Sequence, residues 1–251
     1  MASLDRLAPP DLRAVVSRYR DALRAHQDEL NRLNVYPVPD GDTGTNMALT
    51  LESVANEIGT ADTMPEVCRA IAHGSLMGAR GNSGVILSQI LRGLADTFAA
   101  LDAVGPGDVV AGLRRASDAA YQAVMHPVEG TILTVVREAA EAAEAADANG
   151  AVSLVDVLDR ALDTARESVR RTPELLPVLR EAGVVDAGGY ALTVVLSGII
   201  GALRGSAPPP VAHQAAARVT HPQHSSTTYR YCTNFAVTGA GLEQRRFVRA
   251  L

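Results

Sequence analysis

The stretch Asp-Gly-Asp-Thr-Gly-Thr-Asn at residues 40–46 stands between two segments that have the hydrophobic spacing of helices. Before it, residues 11–33 carry apolar side chains three and four positions apart. After it, Thr43 or Thr45 can cap a second helix that runs to about Gly59. The stretch itself is too rich in Gly and Asp to continue either helix. It is therefore predicted to be a loop that leads directly into a helix.

The same alternation of loop and helix continues along the chain. Each boundary carries Gly, Pro, Asn or Asp, and no segment before residue 205 alternates with the period of two that a strand requires. The chain is 47% hydrophobic but only 4% aromatic, with no Trp, which favours helices packed closely through small side chains. An all-α fold of about eight amphipathic helices is predicted. The further helices are expected at about 65–77, 82–101, 107–125, 129–146, 154–171 and 185–203, with a short one at 174–181.

The character of the sequence changes after residue 205. Residues 1–205 are predicted to form the helical domain, and residues 206–228, which include Pro208 to Pro210, resemble an extended linker. Residues 229–251 begin with strand-like alternation and end with a segment that could open a helix. One strand and one helix cannot bury a core. This tail is therefore expected to be the start of a second, α/β domain, and the chain is expected to be the front part of a longer polypeptide.

Charge and composition exclude several classes of function. The net charge of −5 gives no general attraction to nucleic acid. All 23 basic residues are Arg, so phosphate loops of the Walker type and the protein-kinase mechanism, which use Lys, are excluded. Cys68 and Cys232 lie far apart and indicate a reducing compartment. The start of the chain lacks the apolar core of a signal peptide, and the apolar run at 190–203 is short for a transmembrane segment, so a cytoplasmic protein is expected.

Two carboxylates in the first loop are candidates for metal binding. Asp40 and Asp42 can converge on one cation because Gly41 lets the chain turn tightly, and hard oxygen ligands suit Mg²⁺. A calcium loop of the EF-hand type is excluded, since Leu51 stands where a bidentate Glu is needed. An ordinary Asp-Gly turn that caps a helix remains the alternative interpretation of this loop.

Three further loops also stand immediately before predicted helices, at residues 78–84, 126–131 and 183–189. The first of these is glycine-rich, so its backbone amides can approach an anion at a helix start without any Lys. In an antiparallel bundle, the loops before alternate helices lie at the same end. All four loops are therefore predicted to share one rim. His126 is interpreted as a loop residue, and Arg170 with Arg171 as complements of a helix end.

Together, the motifs at residues 34–47, 78–84, 127–133 and 186–189 resemble the N-terminal domain of bacterial fatty-acid kinases of the FakA type. That domain is similar to DhaL, the nucleotide-binding subunit of dihydroxyacetone kinases, and the resemblance covers roughly residues 5–205. It implies an antiparallel eight-helix barrel that holds ATP or ADP on its rim with two Mg²⁺ ions. The tail at residues 229–251 also resembles the beginning of the middle domain of this family.

The resemblance also implies roles for individual residues. Asp40 and Asp42 are expected to be the catalytic and metal-binding residues. Relatives of the DhaL type carry a third metal-binding aspartate, and its nearest equivalent here is Asn34, which could bind through its amide oxygen but has no charge. The residues expected to bind the nucleotide are Thr43, Thr45, Asn46, Gly81, Asn82, Ser83, Gly84, Thr131, Asp186 and Gly188.

The expected reaction is transfer of the ATP γ-phosphate to a fatty acid that a separate, FakB-like fatty-acid-binding protein presents, giving an acyl phosphate. A carboxylate is already ionised at neutral pH, so this reaction needs no general base. Two alternatives stay open: a dihydroxyacetone-type kinase domain, and a non-catalytic module that binds nucleotide to regulate assembly. The 251-residue chain alone is expected to turn over ATP weakly or not at all. A homodimer of the longer protein is an assembly that the resemblance allows.

Overall fold

A computed structural model describes residues 5–148, 150, 153–205, 207 and 213–214. The predicted strand and helix in the tail, and most of the predicted linker, lie outside these residues. Within them the chain forms ten helices, and a single antiparallel bridge joins Leu7 to Val104. The predicted all-α fold is confirmed. The helices are α1 (Pro9–Ala25), α2 (Gln27–Leu33), α3 (Thr43–Ile58), α4 (Met64–Gly78), α5 (Gly81–Phe98), α6 (Pro106–Ala123), α7 (Ile132–Ala148), α8 (Leu154–Leu175), α9 (Pro177–Ala182) and α10 (Ala187–Arg204).

The eight long helices form a closed ring. From α3 to α8 each packs against the next along the chain, α10 packs against α8, and α1 closes the ring between α10 and α3. Their apolar faces meet in one continuous core of buried Leu, Val, Ile and Ala side chains. Because neighbouring helices in the ring run in opposite directions, α3, α5, α7 and α10 all begin at the same end of the barrel.

Small residues allow the helices of the ring to approach closely. A Cβ atom on Gly93 of α5 would lie 2.7 Å from the Cα atom of Ala116 in α6, which is closer than real contacts allow. A Cβ atom on Gly78 of α4 would lie 2.2 Å from the Cβ atom of Ser53 in α3. Packing through small side chains, as the low aromatic content predicts, therefore sets the distances between the helices.

The helix predicted over residues 11–33 is wrong in one respect, because the chain breaks at His26 into α1 and α2. The His26 amide donates to the Leu23 carbonyl, three residues back, rather than to that of Ala22. The ring Nδ1 of His26 lies 2.9 Å from the Ala22 carbonyl oxygen and takes the place of the missing backbone bond. A side chain thus replaces a helical hydrogen bond and turns the chain without any Gly or Pro.

Helix α10 is the central apolar element of the barrel. Among the described residues it alone is long and apolar enough to cross a membrane, but 78% of that window is buried inside the fold. Its hydropathy is accounted for by contacts with α1, α7 and α8 in the core.

Candidate functional site

A cavity of about 610 Å³ opens at the end of the barrel where α3, α5, α7 and α10 begin. Residues from all four loops that precede these helices line it, so the loops meet on one rim as the alternation of helices predicts. Thr45, Asn46 and Gly84 do not line the cavity. The expected site residues that do line it are Asn34, Asp40, Asp42, Thr43, Gly81, Asn82, Ser83, Thr131, Asp186 and Gly188.

The electrostatic character of the cavity follows from its helix ends. The first backbone amides of a helix have no partners within it, and the helix dipole adds a partial positive charge at the same end. Here the starts of α3, α5, α7 and α10 all border one space. The dipoles of these four helices favour an anionic ligand such as a phosphate group, although several amides at the starts of α3, α7 and α10 already donate to protein side chains.

The Asp40 and Asp42 carboxylates lie side by side at the cavity. Gly41 between them has φ +68°, a left-handed conformation that Gly adopts without strain. Partial burial, and then the negative charge of Asp42, raise the pKa of Asp40. A divalent cation between the two carboxylates would relieve this repulsion.

The donor set fits Mg²⁺ that is bound together with phosphate. Within the described part of the chain, no group of three or more His, Cys, Asp or Glu side chains could hold a metal ion. Mg²⁺ in nucleotide sites takes one or two carboxylates and completes its octahedron with phosphate oxygens and water. Asp40 and Asp42 supply that number of carboxylates.

Asn34 is buried and holds the first loop in place. Its Oδ1 atom accepts hydrogen bonds from the amides of Asp42 at 3.1 Å and Thr43 at 3.3 Å. Its Nδ2 atom donates to the Val38 carbonyl at 2.9 Å. An amide oxygen has two lone pairs, and the start of α3 uses both. In this conformation Asn34 therefore acts as the cap of α3, and the metal contact expected for it would require that cap to open.

Thr45 faces α2 and not the cavity. Its amide donates to Asn31 Oδ1 at 3.1 Å, and its hydroxyl accepts from Asn31 Nδ2 at 3.0 Å and Gln27 Nε2 at 3.2 Å. The neighbouring Gly44 lies so close to α2 that a Cβ atom would be 2.2 Å from the Gln27 carbonyl oxygen. Thr45, expected to bind the nucleotide, thus fastens the first loop to α2.

The second loop uses its glycines for two different purposes. Gly81 has φ +57°, and a Cβ atom there would lie 2.4 Å from Asn46 Nδ2, so Asn46 lies directly beneath this turn. Gly84 has ordinary helical geometry, and a Cβ atom on it would lie 2.6 Å from the hydroxyl oxygen of Thr50 in α3. Gly81 forms the turn at the cavity, whereas Gly84 allows α5 to approach α3.

The third loop is fixed by Glu129, a residue to which the sequence interpretation gave no role. Its carboxylate accepts hydrogen bonds from Tyr121 Oη at 2.9 Å, Thr134 Oγ1 at 2.6 Å and Arg137 Nη2 at 3.1 Å. Burial raises the pKa of Glu129, but these donors outweigh it and the pKa is lowered. The only signal in the sequence is the place of Glu129 within the third motif. His126, the first residue of this loop, is exposed and lines the cavity.

The fourth loop contains Asp186, which is only 6% exposed. Its Oδ2 atom accepts from the Gly189 amide at 2.7 Å, and the backbones of Ile132 and Gly188 also hydrogen-bond to the carboxylate. Burial raises the pKa of Asp186 to about 6, although these hydrogen bonds act to lower it. One buried carboxylate thus holds together the starts of α7 and α10. Burial, and then the charge of Asp186, raise the pKa of Tyr36, which also lines the cavity.

Comparison with known proteins gives a consistent assignment. The DAK2 domain family matches residues 37–201. Protein YloV of Bacillus subtilis is 45% identical over 189 residues, which are 74% of this chain and 34% of that protein. An uncharacterized protein of Staphylococcus saprophyticus is 41% identical over 228 residues, 86% of this chain and 41% of that protein. The chain thus spans about two fifths or less of the length of these relatives.

The fold also matches a solved structure. The crystal structure of the dihydroxyacetone kinase of C. freundii, in its native form, superposes with a TM-score of 0.52 at 20% sequence identity. The match covers 80% of this chain and 36% of that one. At this level of identity the likeness concerns the fold alone, and the family match extends over most of the barrel. The chain belongs to the DAK2 domain family.

Proposed function

We propose that this domain binds ATP with Mg²⁺ in the rim cavity and transfers the γ-phosphate to a fatty-acid carboxylate presented by a separate, FakB-like fatty-acid-binding protein. The observation that carries the proposal is the meeting of one carboxylate pair with four helix N-termini around a single cavity. Membership of the DAK2 domain family supports a nucleotide-binding domain of the kinase type. The place of action would be the cytoplasm, where ATP is available.

The protein groups of this site would bind and orient the substrate. Backbone amides in the glycine-rich turn at the start of α5 would hold phosphate oxygens, which would allow a chain without Lys to bind a polyphosphate. Asp40 and Asp42 would hold Mg²⁺, which neutralises charge on the phosphates as it develops. An apolar wall of the cavity, which consists of Val85, Ile86 and Val124, could receive the adenine ring of ATP.

The proposed chemistry needs no general base. A fatty-acid oxygen forms a bond to the γ-phosphorus while the bond from that phosphorus to the ADP oxygen breaks, giving acyl phosphate and ADP. No proton has to be moved, because the acceptor is already ionised. Asp186, the buried carboxylate of the cavity, is engaged with backbone amides and is not needed as a base. Catalysis then depends on positioning and charge neutralisation.

The binding half of the proposal is tested by titrating the 251-residue chain with ADP and with a non-hydrolysable ATP analogue in a calorimeter. We expect saturable binding in Mg²⁺ that weakens at least about tenfold in excess chelator, a difference of about 1.4 kcal/mol. Absence of binding in both buffers would overturn the nucleotide assignment. Equal affinity in both would overturn the metal assignment.

The acceptor is tested with γ-labelled ATP, using this chain and full-length YloV of Bacillus subtilis as a relative. A fatty-acid-binding protein loaded with fatty acid is offered as one acceptor and dihydroxyacetone as the other. A labelled product of the first reaction that hydroxylamine converts to fatty-acyl hydroxamate, with release of the labelled inorganic phosphate, supports the proposal. Transfer to dihydroxyacetone would identify the small-molecule kinase, and transfer to neither, with nucleotide bound, would identify the regulatory module.

A further inference from the structure

A buried carboxylate on α2 is paired with a segment that lies far away in the sequence. Glu29, in the first turn of α2, is only 7% exposed. Its Oε1 atom accepts a hydrogen bond from the Gln214 amide at 2.6 Å, and its Oε2 atom lies 3.1 Å from His213 Nδ1. Residues 213–214 follow the last barrel helix, so these contacts join the chain beyond the barrel to the barrel wall.

Ring contacts support the same placement. The His213 ring stacks on His26 with centroids 6.2 Å apart and an interplanar angle of 27°. The His26 ring in turn forms a T-shaped contact with the ring of Tyr190 in α10, with centroids 6.4 Å apart. The His213 side chain is 86% exposed while that of Glu29 is 8% exposed. Glu29 therefore lies beneath the segment, at the junction of α1, α2 and α10.

Because Glu29 is buried, its hydrogen bonds to the segment stabilise the carboxylate. An ionised carboxylate removed from water without partners is strongly destabilising, so buried carboxylates are paired. Among the described residues, the hydrogen-bond donors to Glu29 are His213 and the Gln214 amide, and the buried Tyr190 hydroxyl lies nearby without forming a hydrogen bond. The barrel thus contains an acceptor whose hydrogen bonding is completed by the segment that follows it.

Helix α2 connects this acceptor to the cavity. Gln27 and Asn31 bind Thr45 from the same short helix, and Asn34, which caps α3, is its C-cap. Movement of α2 would therefore shift the first loop, which carries Asp40 and Asp42. Two sites that bear on one short element affect each other's affinity, and the effect is reciprocal.

We propose that Glu29 is a docking site for the segment at residues 213–214, and that docking holds α2 in the position that the nucleotide loop requires. The segment and the nucleotide then bind cooperatively, so whatever pulls the segment away lowers the affinity for nucleotide. The docking stands on the contacts of Glu29 alone, whereas the coupling rests on the proposed function.

Docking is tested in the nucleotide-free 251-residue chain through hydrogen exchange of the Gln214 amide, followed by NMR. In Glu29→Gln we expect this amide to exchange at least about tenfold faster, because the charged acceptor is lost. The matched control is His73→Ala, which removes an exposed His–Glu pair in which His73 Nδ1 lies 3.0 Å from Glu57 Oε1. It should leave the exchange unchanged. Equal exchange in the wild type and Glu29→Gln would overturn the docking.

Coupling is tested by comparing Gln214→Pro, which lacks the donor amide, with Gln214→Ala, which keeps it. The dissociation constant for Mg·ADP should rise about fivefold or more in the proline variant and stay within about twofold in the alanine variant. Equal constants in the two variants would overturn the coupling. A wild-type chain that binds no nucleotide would overturn the proposed function and the coupling together, while Gln214 exchange still decides the docking.

Discussion

Asp42 and Asp186 occupy the same position in two helices and have opposite surroundings. Each is the N-cap residue of its helix, α3 and α10 respectively, and each lines the same cavity. The Asp186 carboxylate accepts backbone hydrogen bonds, whereas the Asp42 side chain makes no cap bond. Asn34 provides the cap of α3 instead. A cap supplied from elsewhere leaves Asp42 available for a ligand, and a position at a helix start does not by itself define a role.

Substitution of Asp42 is the strongest test of the difference between the two N-cap aspartates. In Asp42→Ala we expect the affinity for Mg·ADP to fall by at least about 100-fold, which is about 3 kcal/mol or more, because one of two metal ligands is lost. The free energy of unfolding should stay within about 0.5 kcal/mol of wild type, since this side chain caps nothing. Calorimetric titration and urea unfolding measure the two quantities. Retained affinity would remove Asp42 from the site.

Asp186 should make the free energy of unfolding depend on pH. Its folded-state pKa of about 6 lies above the ordinary 3.8, so its contribution to stability is complete below pH 3.8 and is lost as the pH rises through 6. Relative to Asp186→Asn, the wild type should therefore lose up to about 3 kcal/mol of unfolding free energy between pH 4 and pH 7. Urea unfolding of both proteins across this range gives the difference. If the unfolding free energies of the two proteins changed in parallel with pH, the raised pKa of Asp186 would be contradicted.

Substitutions of Asn34 distinguish a capping role from a metal-binding role. Asn34→Ala removes the acceptor for two amides and should lower the unfolding free energy by about 1–2 kcal/mol. Asn34→Asp keeps an acceptor but turns a carboxylate oxygen toward the Val38 carbonyl, where the amide now donates. If Asn34 is only a cap, Asp at this position should not tighten Mg²⁺ binding. Tighter Mg²⁺ binding in this variant would mean that residue 34 reaches the metal.

Thr45 gives the smallest expected effect. Thr45→Val removes a hydroxyl that accepts from Gln27 and Asn31, and should lower the unfolding free energy by about 1 kcal/mol. The affinity for Mg·ADP should change less than about threefold, because the hydroxyl faces α2. A fall of tenfold or more without loss of stability would show that Thr45 contacts the nucleotide after all.

The broad architecture could be predicted because its signals are local. Helical spacing and loop residues at the boundaries locate the long helices to within a few residues, and the alternation of direction then places four loops on one rim. The break at His26 could not be predicted in this way. It depends on a ring nitrogen that bonds the Ala22 carbonyl, and no Gly or Pro marks it.

The roles of individual site residues were harder to predict, because they depend on tertiary contacts. The cap that Asn34 gives to α3 spans eight residues of irregular loop, for which no spacing rule exists. Gly81 and Gly84 look equivalent in the sequence, yet one forms a left-handed turn and the other makes room for Thr50. Glu129 depends on Tyr121 and Arg137, eight residues away on either side.

The closed ring has a mechanical consequence for the cavity. In an open bundle, an outer helix can move into solvent when a contact between helices is enlarged. A closed ring has no outer helix that could move in this way. Any widening between α5 and α6, such as an alanine at Gly93 would force against Ala116, must be shared around the whole circumference. The diameter of the rim, and with it the grip on whatever the rim holds, is therefore governed by glycines that never touch the cavity.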